Sequence, residues 1–171
     1  MNFFRAETMS APLLEIPSSL WPALVDHLRA RSAGVEESGG FLLGHKTETG
    51  RAMTRFLPYE ELQHDALRGD HVHLSAASFA RLWELCRAEN LSVVADVHVH
   101  GGSALQSRSD RENPMVAIPG HIAFIVPCFA RGQVRLRDVL MYVYQGNHQW
   151  TAYWGSDIER RVRLTPDGDT Q

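Results

Sequence analysis

Apolar positions along the chain switch between two spacings, and the switches mark its elements. Leu13 to Ile16 is a short apolar run closed by Pro17, a strand signal. Ser18 or Ser19 can then cap a helix that tolerates Pro22 in its first turn. Leu20 or Trp21, Leu24, Val25 and Leu28 return at helical spacing until Gly34. The unbroken apolar run from Gly40 to Gly44 reads as a strand covered on both faces, with 51–57 as its antiparallel partner across a polar turn. Residues 58–70 are polar and irregular, which predicts a surface loop. Ser75 is placed to cap a second helix whose core face is Phe79, Leu82, Trp83 and Cys86. Strands are expected over 91–100, ending at Gly101-Gly102, and over 121–129. A hairpin of 139–145 and 149–154 turns at Gly146-Asn147. This order predicts one α/β domain over residues 12–156, a mixed curved sheet flanked by helices. Residues 1–11 and 157–171 are expected to be tails, the last dozen of them frayed.

Composition narrows the class without naming a function. The 171 residues, 44% hydrophobic and 22% charged, suit one domain with a sizeable core. A net charge of -3 gives no broad attraction to nucleic acid or to an anionic membrane. Arg160, Arg161 and Arg163 form a short basic cluster that reads as a solvated tail. Cys86 and Cys128 belong to no CxxC pair. They are expected to be core residues of a helix and a strand, which makes a reducing cytoplasm the default location. The first eleven residues lack the apolar core of a signal peptide, and no run approaches the ~18 apolar residues of a membrane span.

The chemistry concentrates at the end of the run 91–100. His98 and His100 are two apart on a predicted strand, so their imidazoles share a face about 6.5–7 Å apart at the backbone. Both can then reach one metal ion, although such a pair taken alone is more often partly exposed surface. After the Gly-Gly turn come Ser107 and Asp110, one turn apart if a helix starts there. Serine three residues before an acid is also a helix capping box, and the two readings are compatible. Two histidines and an aspartate leave a fourth position open, the arrangement of a hydrolytic zinc site. Upstream, Glu37 enters the buried run with Gly40, Leu42 and Gly44 behind it; alone it would be a solvated strand-edge acid.

Taken together and in order, these residues resemble the JAMM metalloprotease family, built on the MPN domain, whose sheet is similar to that of the cytidine deaminases. The family carries E-x-x-G-x-L-x-G, then H-x-H, a short loop and S-x-x-D. Residues 35–129 follow that plan, including the helix before the H-x-H strand and the strand after it. The resemblance implies zinc, one ion per chain, held by His98, His100 and Asp110. It implies Glu37 as the general base that deprotonates the attacking water and Ser107 as a holder of the oxyanion. Glu36 competes for the base role, but only Glu37 is in register with Gly40 and Gly44. Two departures stand out. Gly101 follows His100 where the family has proline, so the stretch to Ser107 is one residue shorter, and the Gly101-Gly102 pair gives the backbone freedom to absorb the change. Gly39 stands where many relatives have cysteine, a change without expected consequence.

The implied activity is cleavage of the isopeptide or peptide bond after the C-terminal glycine of a ubiquitin-like protein. Bacterial relatives include some encoded beside activating and conjugating enzymes in antiviral operons. Those enzymes and ubiquitin-like conjugates are therefore the expected partners, with no nucleic acid and no membrane. The loop 58–70 is a candidate for outer contacts with the substrate. The competing reading is a non-catalytic MPN scaffold, although such members usually lose the metal set that this chain keeps. A small-molecule deaminase lacks support, because H-x-E and P-C-x-x-C are absent. A second H-x-H, His71 and His73 behind Asp70, has no following S-x-x-D and is expected not to bind metal. Asp96 shares a face with His98 and His100, either as an outer partner of the ligands or as a plain strand residue. His121 and His148 read as ordinary sheet and hairpin residues.

Overall fold

Covered strands and capped helices follow one another in a computed structural model that describes residues 13–68 and 71–168. In chain order these are β1 (Leu14–Pro17), α1 (Leu20–Ser32), β2 (Gly39–Lys46), β3 (Arg51–Pro58), α2 (Tyr59–Leu62), β4 (Leu67–Arg68), β5 (His71–Val72) and α3 (Ala76–Glu89). They continue with β6 (Ser92–Val99), α4 (Arg108–Glu112), β7 (Ile122–Val126), β8 (Leu140–Gly146), β9 (Gln149–Trp154), α5 (Ser156–Glu159) and β10 (Val162–Thr165). Eight strands form one curled mixed sheet in the order β10-β1-β3-β2-β6-β7-β8-β9, and β4 with β5 makes a separate ribbon. The pairs β6–β7, β1–β3 and β1–β10 are parallel; the other pairs in the sheet are antiparallel.

Strand alternation divides the core between the two faces of the sheet. On one face α1 lays Trp21, Leu24, Val25 and Leu28 against Leu42, Val97, Val99, Phe124 and Val126. On the other, Phe41 and Leu43 meet Leu82 and Cys86 of α3 and Tyr59 and Leu62 of α2. The Gly40–Gly44 run is therefore apolar at every position because both of its faces are covered. Gly44 has its own reason. A Cβ there would lie 1.9 Å from the Ala52 carbonyl oxygen, where the β2–β3 register shifts. Helix ends follow local chemistry. Ala33 (φ 47°) and Gly34 (φ 75°) end α1 in the left-handed region, and Asn90 (φ 55°) ends α3. The Ser75 hydroxyl caps α3 by accepting from the Ser78 amide at 3.2 Å.

Several expectations need correction. The C-terminal stretch is not a tail up to residue 165. Ile158 and Val162 are buried, and β10 pairs with β1 in the register Leu14–Val162. The three arginines are engaged as well: Arg160 with Asp157, Arg163 with Glu15, and Arg161 over the Tyr153 ring at 3.9 Å. The loop 58–70 contains α2 and β4, and of its few apolar residues Tyr59, Leu62 and Ala66 are buried and Leu67 half-buried. Those residues are too few to show a period, so the polar majority dominated the pattern. Trp83 is 39% exposed instead of forming part of the α3 core face. The strand expected over 121–129 stops at Val126, and Cys128 is exposed in a left-handed turn with Phe129 and Ala130. Residues 1–11, Asp70 and residues 169–171 lie outside the described residues. Among the described residues, no helix is long and apolar enough to cross a membrane.

Candidate metal centre

The centre forms where β6 runs out beside β2 and β7. β6 is bonded on both sides, which fixes the direction of its side chains. The assigned strand ends at Val99, yet His100 keeps a strand-like position. Its amide donates to the Val126 carbonyl at 2.9 Å and its carbonyl accepts from Phe129 at 2.8 Å. His98 and His100 thus stay on one face, and their Nε2 atoms lie 2.9 Å apart. Antiparallel pairing sets Gly39 opposite His98, so the continuing register carries Glu37 toward His100. Glu37 Oε1 lies 3.9 Å from His100 Nε2. Ser38 faces the opposite way and is buried. Its hydroxyl donates to the Leu28 carbonyl at 2.9 Å and its carbonyl accepts from Val99, which fixes the stretch carrying Glu37. Glu36 instead turns toward Arg31, at 3.9 Å.

The third acid comes from α4, and its helix cap is also its positioning device. The Ser107 hydroxyl accepts from the Asp110 amide at 3.1 Å, and the Ser107 amide donates to Asp110 Oδ2 at 2.7 Å. This capping box turns the carboxylate toward the histidines, with Oδ1 3.5 Å from His98 Nε2 and Oδ2 3.3 Å from His100 Nε2. Tetrahedral zinc with bonds near ~2.0–2.1 Å would separate its ligand atoms by about 3.3–3.4 Å. The observed 2.9 Å between the histidines, 3.5 Å to Asp110 Oδ1 and 3.3 Å to Oδ2 lie within a few tenths of an ångström of that spacing, so small side-chain shifts would complete it. Among the described residues these three side chains are the group of His, Cys, Asp and Glu able to hold a metal ion.

Electrostatics at the centre suit a cation. Burial pushes the Asp110 carboxyl up, but hydrogen bonds from His100 and His98, the His98 charge and Ser107 together hold it well below the carboxylate range. Burial works against a charged His100, yet its hydrogen bond to Asp110, the charges of Asp110 and Glu37, and the Ser103 backbone raise its pKa.

The centre opens into a cleft of about 200 Å³ shared by Glu37, His98, Ser107, Asp110, Phe79 and His73. All five sequence-predicted site residues meet here: the three ligand candidates, Glu37 beside them, and Ser107 as both cap and lining. His73, expected to be uninvolved, contributes no ligand but stands at the rim. Asp96 shares the face of His98 as expected, and its Oδ2 bonds to His121 at 2.6 Å, both side chains being buried. His121 is thus more than an ordinary sheet residue.

Tyr59 was not foreseen at all. It is fully buried, its ring lies 5.1 Å from that of Phe41, and its hydroxyl has no hydrogen-bond partner among the described residues. A Cβ on Gly39 would come within 2.5 Å of this ring and of the Val97 carbonyl. Glycine at 39 is therefore required by the packing and is not a neutral change. The available signal was the aromatic at the β3 end, hidden in a stretch read as loop.

No family model matches the chain. Its fold recurs in solved structures. The solution structure of protein DSY2949 from Desulfitobacterium hafniense aligns with a TM-score of 0.66 at 13% identity, covering 91% of this chain and 95% of that one. The solution structure of a protein from Salinibacter ruber aligns with a TM-score of 0.59 at 17% identity, covering 92% and 95%. At such identities the likeness is one of fold. Fold and site together define a mixed α/β domain carrying a candidate His-His-Asp metal centre at the end of a central strand.

Proposed function

We propose that this chain is a zinc hydrolase of JAMM type on an MPN domain, cutting the bond after the C-terminal glycine of a ubiquitin-like protein. The observation that carries the reading is the convergence of His98, His100 and Asp110 at ligand spacing with Glu37 alongside. His98, His100 and Asp110 would hold the zinc, which when bound would supply Lewis acidity toward the amide carbonyl and the attacking water. Glu37, beside the ligand group and not part of it, takes the proton from the attacking water and returns it to the leaving amine. The Ser107 hydroxyl lines the same cleft and stabilises the negative oxygen of the tetrahedral species.

The substrate class is the one the family resemblance implies, and the shape of the approach suits it. Val72 and His73, at the end of the β4–β5 ribbon, line the narrow cleft. An extended glycine tail without side chains suits that width and can add as a strand beside the ribbon. The globular part of the substrate then rests on outer contacts around 58–68. On this reading the protein works in the cytoplasm with the activating and conjugating enzymes of the same pathway.

The test is mass spectrometry of zinc-loaded protein with a ubiquitin-like protein extended beyond its terminal glycine, and with that glycine changed to a large residue. The first should be cut after the glycine and the second should resist. Equal cutting of both, or of an unrelated unfolded peptide, leaves a general zinc peptidase and removes the ubiquitin-like assignment.

A further inference from the structure

The segment that delivers Asp110 is an irregular stretch, 101–107, leading into a helix of five residues, Arg108–Glu112. Neither part is stiff in itself. A helix this short is marginal in water, and Gly101 and Gly102 add freedom at the start of the stretch. The ligand geometry nevertheless needs Asp110 placed within a fraction of an ångström, so something outside the segment must hold it.

Most of those anchors come from the strands beyond β6. Gly102 is caught by the Cys128 amide, which donates to its carbonyl at 2.9 Å. Farther along, the Tyr142 hydroxyl on β8 bridges two backbone groups of the segment. It donates to the Ala104 carbonyl at 3.1 Å and accepts from the Gln106 amide at 3.1 Å. The Gln106 amide is adjacent to Ser107, the cap that orients Asp110. Tyr142 is 5% exposed and Ala104 4% exposed, and both pack with Ala123 and Ile125 beneath the segment. On β9, the Trp150 indole donates to the Arg111 carbonyl at 3.3 Å, just past Asp110. The β8–β9 hairpin therefore grips the ligand-bearing segment before and after Asp110.

We propose that Tyr142 is a positioning residue for the metal centre, its hydroxyl clamping the segment 104–106 so that the Ser107–Asp110 box faces His98 and His100. A buried phenol that satisfies one backbone donor and one backbone acceptor of the same segment fixes the separation of those groups, which a packing contact alone does not. The proposal rests on the metal reading above, and its test separates the two.

Tyr142→Phe keeps the ring and removes the clamp. Tyr144→Phe is the matched control. Tyr144 is also 5% exposed on β8, but its hydroxyl accepts from the His148 amide at 3.2 Å, within the hairpin's own turn. Zinc affinity is measured by chelator competition, cobalt(II) spectra report ligand geometry, and amide hydrogen exchange reports the segment. Tyr142→Phe should speed exchange at Gln106 even without metal, weaken zinc roughly tenfold and shift the cobalt bands, as loss of support behind a ligand does. Tyr144→Phe should lower the melting temperature similarly and leave zinc affinity and the cobalt spectrum as in wild type. Unchanged exchange and affinity in Tyr142→Phe, or equal weakening in both variants, overturns the clamp. Should Tyr142→Phe not fold, Gln106→Pro removes the same hydrogen bond from the segment side, and there zinc affinity and the cobalt spectrum are the readouts. If wild type itself binds neither zinc nor cobalt, the metal reading fails and takes this role of Tyr142 with it, whereas failure of the clamp alone leaves wild-type metal binding intact.

Discussion

The tripeptide His-Val-His occurs twice, at 98–100 and at 71–73, and among the described residues only the first is gathered with a third ligand. The difference lies in what holds the backbone. β6 is eight residues long and bonded to β2 and β7, so the alternation of its side chains is rigid. β5 is two residues in a two-stranded ribbon, and His73 lies beyond its end, exposed at the cleft rim. An i, i+2 spacing aims two side chains at one point only while the strand between them is held straight, and even then a separate element must deliver the acid. α4 does this at 98–100, and the ribbon at 71–73 has no counterpart in the cluster. The same letters therefore carry a candidate metal centre in one place and, through Val72 and His73, only line the cleft beside it in the other.

The sharpest way to break this comparison is to remove each pair in turn. His98→Ala with His100→Ala should abolish zinc in metal analysis of the purified protein, whereas His71→Ala with His73→Ala should retain one ion per chain. Full zinc in the first variant, or loss in the second, reverses the assignment.

Next in size is the base. Glu37→Gln should keep zinc and fold and lose roughly 10²–10⁴-fold of hydrolysis, while Glu36→Gln, paired outward with Arg31, stays near wild type. A reversed outcome would mean that the β2–β6 register is off by one residue.

Ser107→Ala should cost roughly 10²–10³-fold in turnover if its hydroxyl serves the oxyanion. The same change removes the cap that orients Asp110, worth about 1 kcal/mol of helix stability. Ser107→Asp keeps a capping oxygen without a hydroxyl donor. Turnover recovering in Ser107→Asp would show that only the cap matters.

A smaller effect should appear with pH in the metal-free protein. The Asp110 carboxyl is held below its ordinary 3.8, so its contribution to stability is present above that value and is lost as pH falls toward the folded pKa. The His100 pKa is raised above 6.5, so its contribution is full below 6.5 and is lost as pH rises through the folded value. The apo melting temperature should therefore drop as pH climbs above 6.5. Zinc binding should tighten over the same range, because the metal needs His100 unprotonated. Calorimetry with and without zinc would check both signs; a flat apo profile would mean that His100 and Asp110 are not coupled as the geometry implies.

Residues and their order determined much of this on their own. The apolar run at Gly40–Gly44, the helix faces ending at Leu28 and Cys86, and the hairpin near residue 147 were legible because each repeats a period over enough positions. The pairs His98–His100 and Ser107–Asp110 were legible because strand and capping chemistry act over two or three residues, whereas Glu37 was joined to them only by the family resemblance. What remained for the tertiary structure were contacts between positions far apart in the chain. β10 joins the sheet because Val162 finds Leu14, and no local pattern in residues 157–168 encodes that partner. Tyr59 is buried because Gly39, lacking a Cβ, leaves room for its ring. Tyr142 sits at an ordinary strand position, and only the curl of the sheet brings its hydroxyl under Ala104 and Gln106. Local periodicity can record which face a residue presents, but not which distant backbone group will meet it there.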